Sequence, residues 1–274
     1  MNRPPRSQAT LAGAMLRTVR ATRYVTPLRE GGSLPAIIEA DDLGLYVLKF
    51  RGAGQGPLAL VAELIAGEIG RSLGLNVPEL VFVEVDPALG RNEPDEEIRD
   101  LLRTSIGLNL ALDYLPGSVM FDPAAGDIAS ADVASRAVWF DSFVTNVDRT
   151  PRNPNLLLWH EGLYFIDHGA ALYFHHQWQS LEQMAATRFA LIRQHVLLPW
   201  ATGIEGADRE LRRLVTEKML ADIAALVPDE WLRAVFETET PASKRAGYVR
   251  YFLHRLNAAP GFVEEAIHAR AQLV

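Results

Sequence analysis

The stretch Asp141–Gly169, DSFVTNVDRTPRNPNLLLWHEGLYFIDHG, decides how this chain folds and where its chemistry lies. Two short apolar runs, Leu156–Trp159 and Leu163–Ile166, flank a His-Glu-Gly turn. Apolar runs of this length around a turn predict a β-hairpin. The two outer ends of a hairpin lie side by side, so the residues that enter and leave it are expected to meet at one edge of a small sheet.

Acidic and amide side chains occupy that edge. Asp148 and Asn153 precede the hairpin, and Asp167 follows it. Their oxygens form the ligand set that Mg²⁺ prefers, because this cation is commonly held by one or two carboxylates together with substrate phosphates. An Asp with an Asn five residues later and a further Asp beyond two strands is typical of phosphoryl-transfer sites.

The composition narrows the class of protein. At 274 residues, with 49% hydrophobic and 22% charged residues, the chain has the composition of a soluble globular protein with a substantial core. Its formal charge of −7 gives no electrostatic footprint for nucleic acid. The absence of cysteine excludes disulfides and thiolate metal sites and fits a cytoplasmic protein. No uncharged apolar run reaches the ~18 residues of a membrane span, so no membrane partner is expected.

The first part of the chain is rich in strand signals. A strand is predicted over Leu16–Pro27, and a hairpin joins Ala36–Glu39 to Leu45–Phe50 across an Asp-Asp-Leu-Gly turn. The next strand signals are Glu79–Asp86 and Ser105–Tyr114, with an acidic exposed loop and a short helix between them.

Two features of this part are candidates for binding phosphate. The turn before the hairpin contains Gly31, Gly32 and Ser33, and glycine lets backbone N–H groups approach an anion closely; a plain connecting turn is the alternative. Lys49 ends the third strand among apolar residues. Its ammonium either faces solvent or points into a cleft, where it can hold phosphates.

An amphipathic helix is predicted over Leu58–Leu73, with Gly74 as its C-terminal cap. Glu63 lies near the start of this helix, where the helix dipole favours an acid. The functional alternative is that Glu63 pairs with Lys49 and fixes the position of the lysine.

The break at Leu115–Gly117 is the predicted hinge between two lobes, and a nucleotide base would meet backbone groups near Asp113 and Tyr114. We expect a flexible N-terminus over 1–14, a β-rich lobe over 15–115 and a helical lobe over 116–274. Beyond Ala129 the predicted helices are Asp132–Val144, Ala190–Pro199, Ala207–Leu226, Asp229–Phe236, Ala242–Leu256 and Gly261–Leu273. Strands followed by helices predict an α+β fold.

Taken in order, these segments resemble the HipA-like serine/threonine kinases. The most specific part is Asn146–Arg149 with Asn153 and Asn155, followed by Phe165–Gly169. Glu63 also stands ten residues before a Leu-Gly-Leu-Asn-Val-Pro turn that is similar to the family's helix and turn. The sequence departs from common kinase patterns in having Asp-His-Gly where Asp-Phe-Gly is usual.

The resemblance covers residues 25–175 and implies a bilobal kinase with an antiparallel β-rich N-terminal lobe containing one helix and a mainly helical C-terminal lobe. It implies an ATP- and Mg²⁺-dependent enzyme that moves the γ-phosphate of ATP to a hydroxyl, such as Ser or Thr of a protein. No antitoxin partner is evident from the sequence.

The resemblance also implies roles for single residues. Asp148 would orient the acceptor hydroxyl and accept its proton, while Asn153 and Asp167 would hold Mg²⁺. Lys49, fixed by Glu63, would bind the α- and β-phosphates.

The remaining implied roles concern the nucleotide. Gly31, Gly32 and Ser33 would cover the phosphates, and the hinge at Asp113 and Tyr114 would receive the adenine.

Two other functions stay open: a non-catalytic kinase-like scaffold that binds nucleotide, and a kinase of small molecules.

A transition-metal site at His175 and His176 is disfavoured, because adjacent histidines on a strand point to opposite faces.

Overall fold

A computed structural model describes residues 16–28, 34–54, 56–91, 93–235 and 239–273. Strands dominate the N-terminal part of these residues and helices the C-terminal part, so the α+β expectation is confirmed. None of the helices within these ranges is long and apolar enough to cross a membrane.

Except for a short strand that follows the fifth, the strands lie close to their predicted positions. Their bounds are β1 Thr18–Pro27, β2 Ala36–Ala40, β3 Leu45–Lys49, β4 Leu80–Val85, β5 Gly107–Asp113, β6 Val119–Met120, β7 Leu156–Trp159 and β8 Gly162–Phe165.

Most helices lie beyond β5. Their bounds are α1 Pro57–Ser72, α2 Glu96–Thr104, α3 Ala131–Phe143, α4 Leu181–Ala185, α5 Ile204–Leu214, α6 Glu217–Ala225, α7 Asp229–Val235, α8 Pro241–Asn257 and α9 Ala259–Ala271. Short 3₁₀ turns occur at Pro123–Ala125, Tyr173–His176, Trp178–Ser180, Ala190–Gln194 and Leu198–Trp200.

The N-terminal sheet has the strand order β1-β2-β3-β5-β4, with antiparallel neighbours. The expectation of a wholly antiparallel sheet is wrong at one point, because β1 also pairs in parallel with β4, from Thr18 opposite Phe82 to Arg20 opposite Glu84. The single helix that the resemblance implied for this part is wrong as well, whereas the short helix predicted between β4 and β5 forms as α2. It begins at a cap in which Asp95 accepts hydrogen bonds from two backbone N–H groups.

The predicted hairpin forms from β7 and β8, with Leu156 opposite Phe165 and Trp159 opposite Gly162. A short strand that the sequence did not predict, β6, pairs with the other edge of β7. The hairpin is therefore part of a three-stranded sheet in the order β6-β7-β8, and its two outer ends continue directly into the segments that carry the candidate site.

Helix α1 packs with the helical part of the chain more than with the sheet. Among the residues that the structure describes, the buried apolar side chains form two clusters, and α1 belongs to the larger one, together with α3 and the C-terminal helices. The smaller cluster lies among β1–β5 and α2. Trp231 on α7 is fully buried, donates its indole N–H to the carbonyl of Leu108 and meets Phe82 edge-on. Helix α7 thus connects both parts, and the predicted division at residue 115 remains a prediction.

Two of the predicted helices are wrong. Ala190–Pro199 forms 3₁₀ turns on either side of His195, whose backbone is extended. Ala207–Leu226 is two helices, because Val215 is extended and Thr216 caps the second helix by accepting a hydrogen bond from the Met219 N–H. The apolar residues keep their helical spacing across Val215 and Thr216, so the sequence pattern gives no sign that the helix ends there.

The end of α1 gives a first testable prediction. Gly74 has φ +80°, its N–H donates to the Arg71 carbonyl and the Leu75 N–H donates to the Gly70 carbonyl, the pattern of a left-handed C-terminal cap. Gly74→Ala should lower the free energy of unfolding by about 1 kcal/mol, because an L side chain is strained at this φ. Urea denaturation measures the change.

Gly206→Ala is the matched control, because Gly206 lies in the first turn of α5 without a positive φ, and a Cβ there would meet only the end of the Arg209 side chain, at 3.9 Å. Alanine should raise stability there by roughly 0.5 to 1 kcal/mol. Equal effects of the two substitutions would contradict the role of Gly74 as a cap.

Candidate active site

The loop before β7 places Asp148 beside Asn153. The Asn153 amide donates from Nδ2 to Asp148 Oδ2 at 2.8 Å. Thr150 and Asn153 exchange two backbone hydrogen bonds of 3.1 Å, which close the turn between them. Asn155 then donates from Nδ2 to the Asp148 carbonyl at 3.0 Å. The loop is therefore fixed at both ends, with Asp148 and Asn153 in direct contact.

Asp167 leaves the hairpin with a left-handed backbone, φ +55°. Such a φ is uncommon for a non-glycine residue and often marks a functional constraint. Asp167 Oδ1 lies 2.6 Å from Lys49 Nζ, although the two residues are 118 positions apart in the sequence. The structure therefore unites the predicted metal residue with the predicted phosphate-binding lysine.

Lys49 points into the protein. Its exposure is 9%, which excludes the solvent-facing alternative. Nζ also lies 3.8 Å from Glu63 Oε2. Burial lowers the pKa of Lys49, but the charges of Glu63 and Asp167 outweigh burial and raise the pKa above its ordinary value. The ammonium is thus held charged between two carboxylates.

Glu63 is buried in the interior of α1, in the second turn and not the first, so the helix-dipole alternative does not describe it. The backbone N–H of His168 donates to Glu63 Oε2 at 3.0 Å, and the His168 Nδ1 lies 3.3 Å from Oε1. Burial raises the pKa of Glu63, but the Lys49 charge and the His168 contacts prevail and lower it to about 2. The histidine of the Asp-His-Gly motif thus ties Glu63 to the segment of Asp167.

Asp148 is a carboxylate with weakened acidity. Burial and the nearby charge of Asp167 raise the pKa of Asp148, and the hydrogen bonds from Asn155 and Asn153 only partly oppose the rise. A carboxylate whose pKa is raised is a better proton acceptor than an ordinary one.

Two oxygens of the site fit a hard cation. Asn153 directs its amide nitrogen to Asp148, which leaves its Oδ1 without a hydrogen bond to the residues that the structure describes. The side chain of Asp167 is 37% exposed and contacts Lys49 through one oxygen only. Within the described ranges no group of three or more His, Cys, Asp or Glu side chains could hold a metal. The donor set therefore fits Mg²⁺ that keeps waters and phosphate ligands, and does not fit a closed protein cage.

Only some of the residues predicted to bind nucleotide are among those that the structure describes. Gly31, Gly32 and Ser33 lie outside the described residues, so their role remains a prediction. Asp113 and Tyr114 lie at the end of β5, where their N–H groups donate to the carbonyls of Glu79 and Leu45. Those two N–H groups are engaged in the sheet, and an adenine would have to use other backbone groups of the segment.

Sequence reasoning missed a buried acid on α3. Asp141 is fully buried, and its Oδ2 accepts a hydrogen bond from Arg149 Nε at 2.5 Å. Its Oδ1 accepts from Asn146 Nδ2 at 3.0 Å. The sequence does carry a signal for this residue: an acidic side chain stands in the apolar part of a predicted helix, shortly before Asp148 and Arg149. Since a buried acid needs a partner, Arg149 was the residue to consider.

Arg149 links both ends of the hairpin. Its Nη1 donates to the carbonyl of Asn155 at 2.6 Å and lies 3.4 Å from the carbonyl of Ile166. Asn155 leads into β7, and Ile166 directly precedes Asp167. Arg149 therefore sets the distance between the Asp148 loop and the Asp167 segment.

Comparison with solved structures identifies a kinase fold. The crystal structure of the Helicobacter pylori proinflammatory kinase CtkA is 13% identical and similar over 95% of this chain and 100% of that chain, with a TM-score of 0.50. The golgi casein kinase is 9% identical over 89% of this chain and 74% of that chain, with a TM-score of 0.38. The Drosophila melanogaster PAN3 pseudokinase is 11% identical over 91% and 68%, with a TM-score of 0.26. The last two scores are too low to inform the fold.

Sequence comparison agrees with the fold. Among curated proteins, none matches this chain. The family profile described as HipA-like kinase matches residues 22–264, which is most of the chain. That match extends well past the motifs of the site into the C-terminal helices, and it confirms the resemblance seen in the sequence. The chain belongs to the HipA-like kinase family.

Proposed function

We propose that this protein is an ATP- and Mg²⁺-dependent phosphotransferase that moves the γ-phosphate of ATP to a hydroxyl, with Ser or Thr of a protein as the acceptor. Nucleotide would bind between a β-rich lobe over 15–115 and a helical lobe over 116–274. The observation that carries the proposal is the convergence of Lys49, Glu63 and Asp167.

The reaction needs positioning and charge neutralisation more than covalent chemistry. The acceptor oxygen attacks the γ-phosphorus, the bond from that phosphorus to the bridging oxygen breaks, and ADP leaves with the electron pair. Asp148 orients the acceptor hydroxyl and takes its proton. Lys49 neutralises charge on the α- and β-phosphates, and Glu63 keeps the ammonium in place.

Mg²⁺ would be held by the Asn153 amide oxygen and the Asp167 carboxylate. When bound, it neutralises charge on the phosphates during transfer. Lys49 contacts Asp167 in this structure, so the lysine also balances the charge of the carboxylate that would hold the metal.

The small-molecule kinase remains the second candidate, because the same residues would phosphorylate any hydroxyl. The nucleotide-binding scaffold is disfavoured, because a scaffold does not need Lys49, Glu63, Asp148, Asn153 and Asp167 together. Asn153 contacts Asp148, and Lys49 contacts both Glu63 and Asp167.

The test is an assay of ADP release and of γ-³²P transfer with Mg²⁺, on a panel of generic proteins, on hydroxylated metabolites and on lysate. Label in protein supports the protein-kinase form, and label in a metabolite supports the second candidate. Tight binding of ATP without turnover on any acceptor would leave the scaffold as the function.

Lys49→Met is the direct test of phosphate binding. Loss of the ammonium should raise the KM for ATP by about 10- to 100-fold, because a hydrogen bond to a charged group contributes ~1.5 to 3 kcal/mol. The matched control is Lys218→Met on α6, whose exposed ammonium pairs with Asp222. An unchanged KM for ATP in Lys49→Met would remove this lysine from the site.

A further inference from the structure

His195 connects a distant segment to the loop of Asp148. The Asp141 Oδ2 that accepts from Arg149 Nε also lies 2.8 Å from His195 Nε2. The side chains of Asp141 and Arg149 are fully buried, and that of His195 is 2% exposed. Three segments therefore meet at one carboxylate: helix α3, the Asp148 loop, and the extended stretch between two 3₁₀ turns.

The contacts of His195 fix its tautomer. The backbone N–H of Leu197 donates to His195 Nδ1 at 3.1 Å, so this nitrogen is an acceptor and the ring proton lies on Nε2. Nε2 then donates to Asp141. Burial and the charge of Arg149 lower the pKa of His195, and Asp141 only partly opposes them. The ring is therefore neutral at neutral pH, with both nitrogens used.

Two paths lead from His195 to the catalytic loop. Asp141 Oδ1 accepts from Asn146, and the Asn146 Oδ1 accepts from the backbone N–H of Asp148 at 3.1 Å. The N–H of Val196, the next residue after His195, donates to the Arg149 carbonyl at 3.0 Å. Side-chain and backbone contacts thus hold the same loop.

We propose that His195 is a positioning residue for phosphoryl transfer. Its neutral ring orients Asp141, and Asp141 holds the loop of Asp148 through Arg149 and Asn146. The role in transfer rests on the proposed function, whereas the role in holding the loop can be measured without activity. None of the motifs that carry the family resemblance contains His195.

Two substitutions separate the two nitrogens of the ring. His195→Gln places an amide N–H where Nε2 lies and keeps the hydrogen bond to Asp141. His195→Asn places an oxygen where Nδ1 lies, so it keeps the bond from Leu197 and loses the bond to Asp141. Displacement of a catalytic group by ~1 Å can cost about 100-fold in rate. The Asn variant should therefore lose about 10- to 100-fold in kcat at unchanged KM for ATP, and the Gln variant should retain most activity.

Hydrogen–deuterium exchange of the peptide 145–156 supplies the second readout. Exchange should be faster in His195→Asn than in His195→Gln or the wild type. If the wild type transfers no phosphate, the proposed function fails and exchange alone decides the role of His195. Wild-type exchange and kcat in the Asn variant, or equal losses of kcat in both variants, would overturn the proposal.

Acid pH provides the test if the Asn variant does not fold. Asp141 and Arg149 are the charged groups that face the ring. Burial raises the pKa of Asp141, but the contacts with Arg149 and His195 outweigh burial and hold that pKa well below its ordinary value. Arginine keeps its charge at every pH of the experiment. Because the folded-state pKa of His195 is lowered, the stability that the neutral ring contributes is complete above about pH 6.5 and is lost as the pH falls. A proton on Nδ1 then removes the acceptor of the Leu197 N–H, while Nε2 still donates to Asp141. The hydrogen–deuterium exchange rate of peptide 145–156 in the wild type, divided by its rate in His195→Gln, should increase as the pH is lowered from about 6.5 to about 5. A ratio that stays constant over this range would contradict the proposal.

Discussion

Asp148→Asn should lower kcat for phosphate transfer by about 100- to 10,000-fold, the usual contribution of a positioned general base. The amide is nearly isosteric, and its oxygen can still accept the hydrogen bond that Asn153 donates to Asp148 Oδ2. Affinity for ATP should stay unchanged, because Lys49 and Asp167 remain. Single-turnover transfer of γ-³²P measures the first quantity, and a fluorescent ATP analogue measures the second.

The matched control for this substitution is Asp132→Asn, because Asp132 is exposed in the first turn of α3. Its kcat should equal that of the wild type. Full transfer activity in Asp148→Asn would refute the assignment of Asp148 as the proton acceptor, whatever the other variants show.

Asp141→Asn should be among the most destabilising single substitutions in this chain. It leaves the guanidinium of Arg149 buried without its carboxylate, and breaking a buried ion pair on one side costs about 3 to 5 kcal/mol. For a chain of this size that loss corresponds to roughly 10 °C in Tm. Differential scanning calorimetry and urea denaturation measure it.

The control for Asp141→Asn is Asp222→Asn, which breaks an exposed ion pair between Asp222 and Lys218 on one helix. Exposed pairs of this kind contribute about 0.3 to 0.5 kcal/mol, so the Tm should hardly change. A Tm shift of Asp141→Asn no larger than that of the control would show that the Asp141–Arg149 pair does not hold the loop.

Local sequence signals predicted the elements that depend on near neighbours. The β7–β8 hairpin is confirmed, because two short apolar runs and the turn between them specify it within a dozen residues. The helix over Leu58–Leu73 is confirmed to within one residue, as is its glycine cap. The family resemblance is confirmed as well, because its motifs are short and ordered.

Contacts between distant segments were not predictable from the sequence. Hydrophobic spacing predicted one buried face of α1, whereas every residue from Leu60 to Gly70 is buried, because the helix lies between α6, α7 and the sheet. The alternatives for Lys49 were likewise undecidable, because outward and inward lysines look the same in a strand. Only the fold brings Asp167 to within 2.6 Å of it.

The buried cluster of Asp141, Arg149 and His195 shows the same limit. Asp141 and His195 are 54 positions apart, and the predicted helix over Ala190–Pro199 would have placed His195 on a regular helix. The extended backbone at His195 lets Leu197 donate to its ring, and no local propensity encodes that geometry.

Asn153 and Asp167 should share one metal ion beside the phosphates of ATP. The measurement is a crystal structure with a non-hydrolysable ATP analogue and Mn²⁺, in which anomalous scattering locates the metal. We expect a manganese peak in contact with the Asn153 amide oxygen and the Asp167 carboxylate, with Lys49 Nζ on the phosphates and Asp148 facing the γ-phosphate. Nucleotide bound elsewhere, or manganese bound without either residue, would contradict it.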